Sequence, residues 1–262
     1  VYLTRIKVIG GKGSKIRKEL LTSLEELGYF IVDRDYEVII VIGSISKALK
    51  VYEKLGKRKL IITVTKGGDY VIPITKENKG GAILGNIIAD ILNSQLVLSS
   101  QISNLGLFSI EEFCWINALK LPKNTIKINK KLVKNKKLKL FIDDSRNYFL
   151  PEGYTITKEI HDADLIISEK IMGMNILVPL QVYVGVVYEQ QVNSEVLRNC
   201  IELTLRSLNI TERRFDKILT KKINNGSRYV EECEKLLLSQ NARILLRPTK
   251  RALGIYTCLG IK

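Results

Sequence analysis

Apolar residues recur along this chain with two periods, and the alternation between them predicts an α/β protein. Arg5–Ile9 reads as a strand, followed by a turn at Gly10–Ser14 and a helix over Lys15–Leu27. In that helix Ile16, Leu20, Leu21, Leu24 and Leu27 make one stripe, and Gly28 is placed to cap its C-terminus. Val38–Ile42 is a continuous apolar run ending in Gly43-Ser44, as in a parallel strand covered on both faces. Leu60–Thr65 and Tyr70–Ile74 flank Lys66-Gly67-Gly68-Asp69, a hairpin signal. From Tyr70 to Phe113 the pattern gives a strand ending in a polar turn, a Gly80-Gly81 step into an amphipathic helix, and a second strand that stops at Ser99-Ser100.

Further on, the pattern changes. Lys120–Lys139 holds nine lysines and no acidic residue, with Pro122 near its start. Ile126, Ile128, Leu132 and Val133 are interleaved among the lysines, which points to ordered structure rather than a tail. Strands are expected at Leu138–Asp143, Asp164–Ser168 and Val182–Tyr188. A helix over Asn193–Leu208, capped by Asn193 or Ser194, comes next. Phe215–Leu219, the helix Arg228–Leu238, Arg243–Leu246 and Gly254–Gly260 complete the series. The expected plan is an N-terminal α/β sheet domain over 1–119, a Lys-rich connection and small middle segment over 120–180, and a C-terminal α/β domain over 181–262.

Composition narrows the chemistry. The longest apolar runs are short or interrupted, so no membrane span or signal peptide is expected and the cytoplasm is the expected compartment. The chain opens at Val1 rather than Met, which leaves a start upstream of it open. Cys114, Cys200, Cys233 and Cys258 are widely spaced and read as buried single thiols; with His161 the only histidine, no metal site is expected. A net charge of +15 predicts attraction to a polyanion, either a nucleic acid or a small acidic ligand. The lysine run lacks stacking aromatics, which argues against single-strand binding.

Six residues between Glu77 and Ser100 carry candidate chemistry. Gly80 and Gly81 precede a helix and can turn backbone amides toward a carboxylate or an oxyanion, or can permit close packing alone. Ser99 and Ser100 can donate to a ligand or cap the chain reversal. Glu77 can act as a base if partial burial raises its pKa, whereas Asn78 cannot accept a proton. Gly11-x-Gly13 lacks both the third glycine of a dinucleotide fingerprint and the Gly-Lys-Ser/Thr of a P-loop, so no nucleotide is expected there.

Pro73-Ile74, Gly80-Gly81-Ala82, Val97-Leu98-Ser99-Ser100 and Gly106-Leu107-Phe108 together resemble the signature of the cobalamin biosynthesis protein G family, the cobalt-precorrin-5A hydrolases. Asn78 stands in the place of the family's histidine and Ile83 in that of its asparagine. The likeness extends along nearly the whole chain and implies the family's three-part layout. It implies hydrolysis of a lactone on a cobalt-corrin intermediate with release of acetaldehyde. The cobalt arrives in the substrate, so no cofactor is implied. By the same resemblance Gly13, Gly80, Gly81, Ser99, Ser100, Gly185, Lys222 and Lys250 fall at substrate-binding places, and Glu77 and Asn78 at the catalytic one. Lys222 is kept where Asn225 replaces a family acid, and only Gly185 remains of a Gly-x-Gly-Cys-Arg pattern. The expected partner is the anionic corrin, with neither membrane nor nucleic acid and with a homo-oligomer compatible. Two alternatives stay open: a non-catalytic tetrapyrrole-binding homologue and a basic nucleic-acid-binding protein.

Overall fold

Among the described residues three sheets hold the strands, and each grows from a different stretch of the hydrophobic pattern. The computed structural model describes residues 2–55, 58–224 and 228–262; Asn225 lies outside them. The first stretch contains β1 (Arg5–Ile9), α1 (Lys15–Leu27), β2 (Phe30–Ile31), β3 (Val38–Ile42), α2 (Ile45–Leu55), β4 (Leu60–Val64), β5 (Tyr70–Pro73), α3 (Gly81–Leu92) and β6 (Gln95–Leu96). Its strands form one sheet in the order β2-β1-β3-β4-β5-β6. Only the β4–β5 hairpin pair is antiparallel. All five residues of β3 are buried, as a central parallel strand covered by helices requires. Gly28 ends α1 at φ 100°, its N–H bonded back to the last turn.

The second stretch contains α4 (Gln101–Asn104), α5 (Ile110–Ile116), α6 (Thr125–Asn135), β7 (Leu138–Asp143), β8 (Tyr154–Ile156), β9 (Leu165–Ser168) and β10 (Ile176–Leu177). Its sheet is wholly parallel, in the order β10-β9-β7-β8. The lysine run becomes α6: Ile128 and Leu132 turn inward, and the lysines occupy the remaining faces. Ile102, Leu107, Ile110 and Phe113, which precede this sheet in sequence, share its apolar core with Leu138, Leu140 and Leu165. Phe113 stacks on Tyr154 with ring centroids 4.4 Å apart.

The third stretch contains β11 (Val182–Tyr188), α7 (Ser194–Arg206), β12 (Lys217–Lys222), α8 (Tyr229–Leu238), β13 (Arg243–Ala252) and β14 (Ile255–Ile261), with strands in the order β12-β11-β14-β13. Register shifts let β13 run well beyond the expected Arg243–Leu246. Asn193 caps α7, its side chain accepting the Glu195 N–H at 2.8 Å. The reading of the cysteines as single thiols is corrected here: Cys233 of α8 and Cys258 of β14 form a disulfide, while Cys114 and Cys200 are free and buried.

The first and third sheets bury one continuous core, in which Leu20, Leu24 and Tyr29 meet Leu205, Leu208 and Leu246. Polar ties hold the third stretch to the first and the second. Tyr29 donates to the Ser207 carbonyl at 2.8 Å and Trp115 to the Leu208 carbonyl at 2.7 Å. Arg214 is completely buried. It donates to the carbonyls of Asn117, Ala118 and Leu180 at 2.9, 3.1 and 2.6 Å and pairs with Asp216 at 3.0 Å. A buried guanidinium is tolerated only when its donors are met in this way.

Candidate functional site

The turn after β5 is shaped by two residues in left-handed conformation, Lys76 at φ 52° and Gly80 at φ 106°, which bracket a single 3-10 turn over Glu77–Lys79. Gly80 and Gly81 are both buried at the start of α3. A Cβ on Gly80 would lie 3.0 Å from the Trp115 ring, and one on Gly81 would lie 2.9 Å from the Lys76 carbonyl oxygen. The Gly81 N–H already donates to that carbonyl at 3.1 Å. The two glycines therefore serve close approach of backbone to Trp115 and Lys76, and the Gly81 amide is not free for an anion.

The polar turn and the paired serines meet each other. Glu77 Oε2 accepts the Ser99 N–H at 2.8 Å and the Ser99 hydroxyl at 3.0 Å, and Oε1 accepts the Ser100 N–H at 2.9 Å and the Ser103 hydroxyl at 2.7 Å. Ser100 Oγ donates to Asn78 Oδ1 at 2.8 Å and accepts the Ser103 N–H at 3.1 Å, which starts α4. Desolvation works to raise the Glu77 pKa, but the donations from Ser99, Ser100 and Ser103 more than offset it, and the pKa is lowered. The condition under which Glu77 would serve as a base, a pKa raised by burial, is thus corrected. This carboxylate is a structural acceptor that fastens Ser99 and Ser100 to the turn; the strand expected to stop at those serines ends earlier, as β6, at Leu96.

Beside this knot lies a cavity of ≈ 320 Å³. It lies against the first turns of α3, at Ala82, Ile83 and Asn86, and is closed by Leu96, Leu98, Ser103, Gly106, Leu107, Phe108 and Glu112, with Asn209 reaching in from the end of the α7 segment. Every lining residue except Asn209 belongs to the signature segment 70–113. Seven of its eleven lining residues are apolar, and Asn86, Ser103, Glu112 and Asn209 add polar groups, a mixture compatible with a small-molecule site.

Glu112 is the one ionisable group in that lining. It is 5% exposed and sits in the first turn of α5. Its hydrogen bonds come from one residue: the Ser109 N–H donates to Oε2 at 2.7 Å, and the Ser109 hydroxyl accepts the Glu112 N–H at 3.1 Å, a reciprocal capping box. The same hydroxyl donates to the Asn78 carbonyl at 2.7 Å, so cavity wall and turn are joined. Burial pushes the Glu112 carboxyl up to about 7, against the opposing pull of Ser109. Sequence reasoning passed over this residue. Ser109-Ile-Glu-Glu112 ahead of an apolar run is a capping-box pattern, and it would have placed a helix start and a carboxylate there.

No family model matches the chain, and no curated protein matches it. Among solved structures, that of a candidate cobalamin biosynthesis protein G homolog from Sulfolobus solfataricus aligns with 99% of this chain and 98% of its own, at a TM-score of 0.63 and 18% identity. The two chains share a fold.

None of the sequence candidates lines this cavity, and Asn78 lines a neighbouring one with Glu111, Lys130 and Lys134. Gly13 is exposed at φ 75°, and a Cβ there would meet nothing within 4 Å. Gly185 is buried in the middle of β11, where a Cβ would fall 2.6 Å from Cys258 Sγ and 3.1 Å from Cys233 Sγ. Packing against the disulfide accounts for that glycine. Lys222 is exposed at the end of β12, opposite Tyr188. Lys250 lines a separate cavity of ≈ 490 Å³ with Glu189, Asn193, Tyr229 and Tyr256, where the two tyrosine rings stack 4.2 Å apart. Among the described residues no helix is long and apolar enough to cross a membrane, and no three His, Cys, Asp or Glu side chains converge as a metal site would require.

Proposed function

We propose that this protein acts in corrin metabolism, binding the anionic cobalt-precorrin-5A macrocycle and opening its lactone, with release of acetaldehyde. The observation that carries this reading is the origin of the cavity: the residues that line it come, Asn209 apart, from the one segment that resembles the cobalt-precorrin-5A hydrolase signature. The shared fold with a candidate cobalamin biosynthesis protein G homolog agrees with it over the whole chain. A cavity of ≈ 320 Å³ is sized for one edge of a corrin rather than for the whole ring, so the lactone edge enters and the rest of the macrocycle lies outside. The net charge of +15 favours a ligand with many carboxylates. Hydrolysis then depends on positioning and on local electrostatics, with the cobalt belonging to the substrate.

The test is incubation of the full chain with cobalt-precorrin-5A, following ring opening by mass and acetaldehyde by coupled reduction. Both products are expected. Corrin binding without either product would select a non-catalytic tetrapyrrole-binding protein, and salt-dependent duplex binding without corrin binding would select a nucleic-acid partner.

A further inference from the structure

Resting on the hydrolase reading, we propose that Glu112 is the catalytic group that takes up and returns the proton when the lactone opens. The cavity supplies the argument by elimination. Its other polar side chains, Asn86, Ser103 and Asn209, do not titrate near neutral pH, so a proton handled inside it falls to Glu112. The surroundings hold the carboxylate in a proton-ready state. Glu111 on the same helix and Glu77 on the neighbouring turn act on it as like charges, and Glu112 in turn acts on Tyr154 of β8. The helix packed beside α5 carries lysines, but Lys130 and Lys134 face the neighbouring cavity that Glu111 lines, not this one. With burial dominant, the carboxyl titrates at about 7, where a general base works best near neutral pH.

The step balances with one water. The water oxygen bonds to the lactone carbonyl carbon as the Glu112 carboxylate takes one of its protons. The tetrahedral intermediate then collapses, the bond from acyl carbon to ring oxygen breaks, and Glu112 gives that proton to the leaving alkoxide. The products are a carboxylic acid and a hydroxyl, and Glu112 returns to its starting form.

Glu112→Gln separates this role from capping, because a glutamine at that position still accepts the Ser109 N–H. The experiment compares full-length wild type, Glu112→Gln and Glu112→Asp for cobalt-precorrin-5A binding and for ring opening across a pH series. In the wild type kcat/KM should rise through a limb near neutrality. Glu112→Gln should bind the corrin as the wild type does yet open it ~10²–10⁴-fold more slowly, with the limb gone. Glu112→Asp should keep the limb with partial activity. A Glu112→Gln enzyme with wild-type rate and limb would leave Glu112 a cap only, while the hydrolase reading stands. A wild type that opens the lactone with no limb between about pH 6 and 8 would overturn the assignment even if no variant folds. A wild type that opens no lactone removes the hydrolase reading and this step with it.

Discussion

Glu77 and Glu112 lie a few residues to either side of the same hydrogen bond, the one from Ser109 to the Asn78 carbonyl, yet their environments drive them in opposite directions. On the turn, Glu77 accepts two backbone amides and two hydroxyls, and its pKa falls. In the cavity wall, Glu112 is supported by Ser109 alone and is buried among apolar side chains, and its pKa rises. Burial opposes ionisation at both places. The number of donors decides the sign. A pair of carboxylates pushed apart in this way commonly marks a division of roles, one structural or electrostatic and one handling the proton.

The strongest way to break this comparison is to remove the buried charge. Because the folded pKa of Glu112 lies above its ordinary value of 4.5, the folded state holds a proton that the unfolded chain has lost between about pH 4.5 and 7. Stability should therefore fall as pH rises through that window, by on the order of 3 kcal/mol in total. Glu112→Gln should flatten that slope and be more stable than the wild type at pH 8, as read by urea unfolding at several pH values. A wild type with a flat stability profile from pH 5 to 8 would deny Glu112 its buried character.

Next in size is Glu77→Ala, which strips the acceptor from Ser99, Ser100 and Ser103. A loss of ~1–2 kcal/mol is expected, discounted for the partial exposure of the turn. The sign with pH is opposite to that of Glu112. With its pKa lowered, the stabilisation from Glu77 is complete above about pH 4.5 and disappears as pH falls through the folded pKa. Wild type and Glu77→Ala should thus converge in stability in acid; a constant gap down to pH 2 would show that ionic hydrogen bonding is not what Glu77 supplies.

Ser109→Ala sharpens the contrast with a smaller effect. It removes the cap of α5 and the donor to Asn78, at ~1 kcal/mol, and leaves Glu112 with the backbone amide alone. The Glu112 pKa should rise further, and the neutral limb of the rate profile should move to higher pH. A limb that stays fixed would mean that the Ser109 hydroxyl does not act on the carboxylate.

Much of the frame was legible in the sequence because local patterns carry it. The run Val38–Ile42 reads as a strand covered on both faces, and all five residues are buried. Gly28 caps the helix it was expected to cap, and of the two caps expected for the later helix, Asn193 is the one in place. What stayed hidden depends on neighbours distant in sequence. The Cys233–Cys258 bridge spans 25 residues with no local spacing signal and gives Gly185 a packing role. Ser99 and Ser100 looked free to bind a ligand because nothing local shows Glu77 folding back over 22 residues to meet them. The pKa of Glu112 is set by the walls that α3, the strand after it and Asn209 provide, and those are brought together only by the fold.

The most direct measurement is a carbon-13 NMR titration of the glutamate side-chain carboxyls in the full chain, assigned with Glu112→Gln and Glu77→Gln. The resonance lost in Glu112→Gln should titrate with a midpoint near 7, and the one lost in Glu77→Gln should titrate below the ordinary value of 4.5. If both carboxyls titrate together near 4.5, hydrogen bonding and burial do not divide them, and the cavity holds no proton-ready group.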